Sequence, residues 1–210
     1  MNFLPLFPLN LVVFPQESLN LHIFEPRYRQ LISECVSSKS TFGIPAFIGG
    51  KMQQYGTEVS ILEVENLYED GRMDIKTQGI CTFEILSFEN PIKNKLYSGG
   101  EISRKTLDKD SANSVLRQEI IQKINELYAL MHQRATFNWN SEVLSFEVAH
   151  KIGLSLEQEY KLLCIEQEQE RQNYLFEHLN RILPVVREME RTKERIQMNG
   201  HFKNLDPLTF

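Results

Sequence analysis

Short apolar stretches separated by turns characterise the first half of the chain, and a helical period characterises the second half. In the first half, the alternation of apolar and polar residues predicts strands at Leu11–Phe14, Leu19–Ile23 and Phe42–Ile48. Eight of the ten glycines and six of the eight prolines lie at or before Gly100. Because glycine and proline mark turns and bulges, we expect a β-rich N-terminal half.

The strongest strand signal is a hairpin centred on the Asp70-Gly71 pair. Glu58–Tyr68 and Met73–Thr77 flank this pair with residues typical of strands. An Asp-Gly dipeptide readily adopts the positive φ angles that a tight hairpin turn requires. The sequence therefore predicts that these two segments pair as antiparallel strands.

Further strands and one helix complete the predicted N-terminal architecture. Ile80–Phe88 alternates in polarity, Leu96–Ser103 is a weaker strand pattern, and Pro26 begins a short helical pattern. Five or more short strands with one small helix predict a closed or partly closed barrel over residues 1–105.

Helical periodicity dominates the segment 106–200, and a C-terminal tail is predicted at 201–210. A second helix is expected from Ser141 to about Ile152, and a capping box of Ser155 with Gln158 predicts a third. The first helix of this bundle carries one apolar stripe: Leu116, Ile120, Ile124, Leu127 and Met131.

The last helix, predicted from about Gln169 to Met198, carries a heptad-like apolar pattern. Two interpretations stay open: packing against the protein's own helices or barrel, and a coiled coil that forms a homodimer. Pro184 lies inside the pattern, where it removes a hydrogen bond at a cost of about 3 kcal/mol, and so predicts a kink or a break. The apolar positions are Leu175, Leu179, Ile182, Val186, Met189 and Ile196.

Composition narrows the class of protein. The 210 residues carry a net charge of -5, so nucleic acid is a disfavoured partner. Three widely spaced cysteines form neither a disulfide framework nor a CxxC zinc pair. The absence of a basic segment before the apolar N-terminus argues against a secretory signal, and no apolar run reaches the roughly 18 residues of a membrane span. We expect a cytoplasmic protein.

Motifs for catalysis, cofactors or metals are missing. Gly49-Gly50-Lys51 lacks the spacing of a phosphate loop and predicts a turn. His22 is interpreted as structural or surface, His178 as partly exposed, and Cys164 as a core residue on an apolar helix face. The charge run Glu166–Arg171 is interpreted as a solvated helix junction. We therefore predict no catalytic residue, no cofactor and no metal.

The N-terminus carries three specific motifs: Leu4 to Leu9 reads LPLFPL, Val12 to Pro15 reads VVFP, and Leu19 to Arg29 reads LNLHIFEPRYR. In order and spacing, these motifs resemble the opening of Lon protease N-terminal domains. Further motifs that look similar are Gly56 to Val59, Asp70 to Arg72, Gly79 to Phe83, Leu162-Leu163, Arg171 and Leu175 through Leu179.

This resemblance implies an α+β fold, in which a PUA-like β pseudo-barrel with one short helix precedes a C-terminal α-helical bundle. It further implies a non-catalytic module that binds unfolded or partly folded polypeptides, with an adaptor role and an ATP-dependent protease as candidate partner. The chain has neither the GxxxxGK[ST] loop of the Lon ATPase nor its Ser-Lys protease.

Phe24, Arg27 and Tyr28 are the residues that a polypeptide-binding hypothesis selects, because arginine and aromatic residues are enriched at interfaces. The competing interpretation is structural: Glu25 and Pro26 begin a helix, Tyr28 packs on the barrel and Arg27 pairs locally. Three alternative functions stay open, namely an RNA-binding PUA-like module, a scaffold for one folded partner, and a hydrolase in which a cysteine meets a histidine.

Overall fold

Six strands precede most of the helical residues in the computed structural model, which describes residues 3–106, 108 and 112–201. The strands are β1 (Phe3–Leu6), β2 (Ser18–Ile23), β3 (Phe42–Ile48), β4 (Lys51–Leu67), β5 (Met73–Ile85) and β6 (Ser98–Arg104). The α-helices are α1 (Pro26–Ser38), α2 (Ser114–Leu130), α3 (Leu144–Val148), α4 (Leu156–Leu163) and α5 (Glu168–His201), and a 3-10 turn (Ala149–Lys151) follows α3.

The strands form one sheet in the order β2-β5-β4-β3-β1-β6, and β6 also pairs with β5. The hydrogen-bonded ladder therefore closes on itself through five strands, while β2 is added to β5. Only the β1–β3 contact is parallel among these pairings. The predicted hairpin is confirmed: β4 and β5 pair antiparallel, and Gly71 adopts a φ of 82° in the turn between them. Gly49 and Gly50, with φ of 59° and 77°, form the predicted turn before Lys51.

Two strand predictions are wrong in part. Leu11–Phe14 belongs to none of the strands. Val12 and Phe14 pack in the apolar cluster of the helices and Val13 packs in the cluster of the strands, so the segment links two cores without pairing as a strand. The predicted strand Ile80–Phe88 is the continuation of β5, which runs unbroken to Ile85.

The capping signals of the helical half had mixed outcomes. Ser155 and Gln158 form the predicted capping box at the start of α4. Ser141, however, does not begin a helix: its hydroxyl accepts a hydrogen bond from Val143 N, and α3 starts only at Leu144.

Helix α5 continues through Pro184 without interruption, so the predicted break is wrong. Asn180, whose carbonyl loses its helical donor, is exposed, as is Pro184 itself. Water can therefore satisfy the released carbonyl, which lowers the cost of proline at this position. A bend of the helix axis stays a prediction.

One apolar core joins the N-terminal strands to the helices. Val12, Phe14 and Ala46 pack in the same buried cluster as residues of α2, α4 and α5, and the Phe14 and Phe146 rings stack with centroids 5.0 Å apart. The change from strands to helices does not divide this core, and the division at residue 105 stays a prediction. The predicted tail lies outside the described residues, apart from the helical backbone of His201.

The charge run Glu166–Arg171, which leads into α5, is the largest correction. The interpretation as a solvated junction is wrong for Glu168 and Arg171, which are 0% and 1% exposed, while Glu166 and Glu170 are exposed. Arg171 Nε donates to Glu168 Oε2 at 2.8 Å and to Ser145 Oγ at 3.0 Å. The guanidinium group also lies 4.5 Å from the centre of the Phe146 ring. A paired, hydrogen-bonded charge can be buried where an isolated one cannot, and this pair holds α3 against α5.

Candidate functional site

The three predicted binding residues lie at the start of α1 in three different environments. Phe24 is 59% exposed in the connection from β2. Arg27 Nε donates to Glu25 Oε2 at 2.9 Å, and its guanidinium lies 4.4 Å from the centre of the Tyr28 ring. The Tyr28 ring is buried and stacks on Phe7 with a centroid separation of 3.8 Å. Tyr28 is therefore a core residue, while Phe24 is available to a partner.

Arg27 and Tyr28 also line a cleft of about 360 Å³ in the strand-rich half, which we call the barrel cleft. Phe47 and Phe88 in its wall are 38% and 45% exposed. The remaining lining residues are Pro8, Met52, Asn90 and Ser98. The cleft combines apolar walls with a guanidinium group at one side, as small binding sites commonly do.

Phe24 belongs to an exposed patch of three rings with a neighbouring leucine and arginine, which we call the aromatic edge: His22, Phe24, Leu67, Tyr68 and Arg72. The His22 ring lies 6.1 Å from both the Phe24 ring and the Tyr68 ring. Arg72 lies over the Tyr68 ring at 5.2 Å. Leu67, the last residue of β4, is 72% exposed. Apolar and aromatic surface is thus concentrated where β2 ends and the β4–β5 hairpin turns.

Asp74 fixes the positions of the His22 and Tyr68 rings. Its carboxylate lies 2.6 Å from His22 Nδ1 and accepts a 2.6 Å hydrogen bond from the Tyr68 hydroxyl and a 3.1 Å bond from Asn66 Nδ2. The hydrogen bonds from Tyr68 and His22 hold the pKa of Asp74 below its ordinary value. The carboxylate therefore stays charged near neutral pH and keeps both rings oriented.

Sequence reasoning selected Phe24 but missed the rest of the aromatic edge. His22 and Asp74 are 52 positions apart in the chain, and they meet because they are paired partners on β2 and β5. Their contact depends on the register of β2, which the hydrophobic pattern alone does not fix. The signal that would have pointed to the edge is the placement of Leu67 and Tyr68 just before a predicted hairpin turn.

The cysteines give no support to a thiol hydrolase. Burial raises the pKa of the Cys35 and Cys164 thiols, and burial with the nearby Glu58 carboxylate raises that of Cys81 to about 11. A nucleophilic cysteine needs the opposite shift, since the thiolate is the reactive form. Within the described ranges, none of the recorded hydrogen bonds joins a cysteine to a histidine. Cys164, which was expected in the core, is the C-cap residue of α4 and is only partly buried.

His178 is buried, contrary to the expectation of partial exposure. Its Nε2 lies 2.9 Å from the Ile152 carbonyl oxygen, to which it donates. Burial lowers the pKa of His178, and the neighbouring Arg181 charge adds to this effect. His178 is therefore a neutral structural residue that ties α5 to the segment after α3.

None of the helices in the described part of the chain combines the length and the apolar content that crossing a membrane requires.

Comparison with known proteins identifies the family. Residues 3–181 match the family model of the ATP-dependent protease La (LON) substrate-binding domain. Because this match spans most of the 210 residues, the chain belongs to that family of substrate-binding domains. The search of curated proteins finds no match.

Two solved structures show the same fold. A Lon N-terminal domain protein from Xanthomonas campestris has 26% sequence identity and a TM-score of 0.65, over 83% of this chain and 97% of that one. The N-terminal domain of Mycobacterium avium complex Lon protease has 14% identity and a TM-score of 0.62, over 85% of this chain and 98% of that one. The α+β class is therefore confirmed, while the PUA-like barrel stays an expectation.

Proposed function

We propose that this protein binds exposed apolar segments of unfolded or partly folded polypeptides and does not modify them. The aromatic edge is the proposed binding surface, and the exposure of Phe24 and Leu67 is the observation that carries the proposal. Contiguous apolar surface is unusual on a soluble protein and commonly marks an interaction site. Membership of the substrate-binding family supports the same class of partner.

The chemistry of the aromatic edge suits a client of variable sequence. Aromatic rings offer a large contact area at a low cost in side-chain entropy, and the hydrogen bonds to Asp74 hold the rings of His22 and Tyr68 in place. Arg72, over the Tyr68 ring, can bond client carbonyl groups without requiring a particular side chain. Preorganised, sequence-tolerant contacts of this kind favour weak binding to many chains.

The barrel cleft is proposed as a second contact, which accepts one apolar side chain of the client between Phe47 and Phe88. Arg27 at its wall is paired with Glu25, so it adds little net charge to the cleft. We therefore propose that Phe24 and Arg27 contact the client, while the buried Tyr28 supports Arg27 from beneath.

In the cell, we propose an adaptor role in cytoplasmic protein quality control, with an ATP-dependent protease as the partner that receives the client. RNA binding is the weaker alternative, since a net charge of -5 gives no electrostatic attraction to phosphate. A scaffold for a single folded partner is distinguished by the experiment below.

The test is binding of a permanently unfolded protein and of its folded counterpart, measured by fluorescence anisotropy at low and high salt. We expect affinity for the unfolded chain of roughly micromolar strength, because ordering a disordered client costs conformational entropy. Phe24→Ser should weaken this binding about tenfold, and Leu67→Ser should act in the same direction. Phe88→Ser reports separately on the barrel cleft.

Val115→Ser is the matched control, because Val115 is 65% exposed on α2 and belongs to neither proposed surface. It should leave the affinity unchanged. Equal and negligible binding of both proteins would remove the proposal and favour a scaffold for one folded partner. Loss of binding with Phe88→Ser but not with Phe24→Ser would move the site to the cleft.

A further inference from the structure

Helix α5 carries an apolar row that its own bundle does not cover. The row, which we call the α5 seam, consists of Val185, Met189, Thr192 and Ile196. The three apolar members are 58%, 67% and 66% exposed. Pro184, Glu188, Lys193 and Gln197 complete the lining of a shallow groove along this side of the helix.

The α5 seam is distinct from the face that packs inside the molecule. Leu175, Leu179 and Leu183 are buried in the helical core, and they occupy the inner face of α5. On its inner side, α5 is also held to α2 by Arg187, which contacts Glu126 at 2.5 Å. Intramolecular packing therefore accounts for the first half of the heptad pattern and leaves the α5 seam without a partner in the described chain.

The spacing of the α5 seam is the same whether it is counted from Val185 or from Ile196. Its four members step by four, three and four residues, which is the alternation of a coiled-coil contact. In an antiparallel pair of identical helices, Val185 faces Ile196 of the other copy and Met189 faces Thr192.

The charges beside the α5 seam also match in this arrangement. Glu188 lies on one flank near Arg195 of the second copy, and two-fold symmetry repeats the contact. Lys193 on the other flank faces Val186, whose side chain its methylene groups can cover. The antiparallel pair thus brings opposite charges together on the Glu188 flank, and charges at flanking positions help to determine how helices pair.

A parallel pair fits less well. It would place the remainder of both protomers at the same end of the paired helices, where they would crowd each other next to Val185. The antiparallel pair separates these bodies, because the seam from Val185 to Ile196 is about 16 Å long at the helical rise of about 1.5 Å per residue.

We infer that the α5 seam is the contact surface for a second copy of this chain, held in antiparallel orientation about a two-fold axis. A self-complementary patch of this kind is what a two-fold symmetric dimer requires. The contact is short, and it falls below the roughly 800 Å² per partner of a standard stable interface. The dimer is therefore weak, with a dissociation constant on the order of 10 µM or higher.

Sedimentation velocity of the full chain over a series of concentrations measures the monomer–dimer equilibrium. Met189→Glu should raise the dissociation constant about tenfold or more, because each dimer would bury two unpaired carboxylates. Leu86→Glu is the matched control, since Leu86 is 61% exposed outside the seam. A wild-type protein that stays monomeric at every concentration, or an equal effect of both variants, would overturn the inference.

Two further experiments test the orientation. Glu188→Arg should weaken the dimer, and Arg195→Glu in the same chain should restore it. Separately, a mixture of Val185→Cys and Ile196→Cys proteins should form a disulfide-linked dimer under mild oxidation, whereas Val185→Cys alone should not. The wild type, whose three cysteines are buried or partly buried, gives the background. Faster linkage of Val185→Cys alone would show a parallel pair and contradict the proposal. Neither result depends on client binding.

Discussion

Removal of the Arg171 side chain should destabilise the folded protein more than any surface ion-pair substitution. Besides its contacts with Glu168 and Ser145, Arg171 donates to three backbone carbonyl groups. The acceptors are Ile165 O and Glu166 O, each at 2.8 Å, and Asp108 O at 2.9 Å. Arg171 thus holds together the segment between β6 and α2, the loop after α4 and the start of α5.

The magnitude follows from what the substitution Arg171→Met leaves behind. Glu168 would remain fully buried, with Ser145 as its remaining side-chain hydrogen-bond partner among the described residues. Removal of one member of a buried ion pair costs about 3–5 kcal/mol, because an uncompensated charge stays in the interior. For a domain of this size, such a loss lowers the melting temperature by roughly 6–20 °C.

Urea unfolding with linear extrapolation measures the free energy of unfolding, and both circular dichroism and the fluorescence of Trp139 can follow it. Arg191→Met is the control, because Arg191 is 68% exposed and lies 3.8 Å from Glu188. Its loss should change the free energy by less than about 0.5 kcal/mol. A cost below about 1 kcal/mol for Arg171→Met would refute the argument that the buried pair organises this junction.

Two further predictions concern the contacts of the segment that follows β1. Burial lowers the pKa of His150, but hydrogen bonds to Glu159 and Glu17 outweigh it and raise the pKa to about 9. Protonated His150 therefore stabilises the folded state. Its contribution to the free energy of unfolding is complete below the unfolded pKa of about 6.5 and is lost as the pH rises through about 9. His150→Gln should remove this pH dependence when unfolding is measured across the range. Gly79→Ala should destabilise the protein by about 1–3 kcal/mol in urea unfolding, because an added Cβ would lie 2.3 Å from the Phe14 carbonyl oxygen. Gln78→Ala, at the exposed neighbouring position, should not destabilise the protein.

Local signals in the sequence were sufficient for much of the fold. Phe42–Ile48 was predicted with the bounds that β3 has, and the Asp-Gly turn and the Ser155 capping box form as expected. In each case the determining interaction lies within a few residues of the signal. A capping box or a hairpin turn can therefore be predicted from the sequence without knowledge of distant contacts.

The remaining features depend on contacts between distant residues. The apolar composition of Leu11–Phe14 suggested a strand, but the segment is buried on several sides by two different cores. The charges of Glu168 and Arg171 suggested solvent, although their mutual pairing and Ser145 allow burial. The aromatic edge escaped notice for the same reason, since strand register brings His22 to Asp74.

The shared core also decides how client binding has to be measured. A fragment of residues 1–105 would lose the helical residues that cover Val12, Phe14 and Ala46, which are 2%, 1% and 1% exposed in the whole chain. These newly exposed side chains would bind unfolded polypeptides non-specifically, because large exposed apolar patches promote association. Binding by such a fragment would therefore say nothing about the aromatic edge. The full chain, with Arg171 and its buried partners intact, keeps Val12, Phe14 and Ala46 covered, so that Phe24→Ser and Val115→Ser compare two surfaces of one folded molecule.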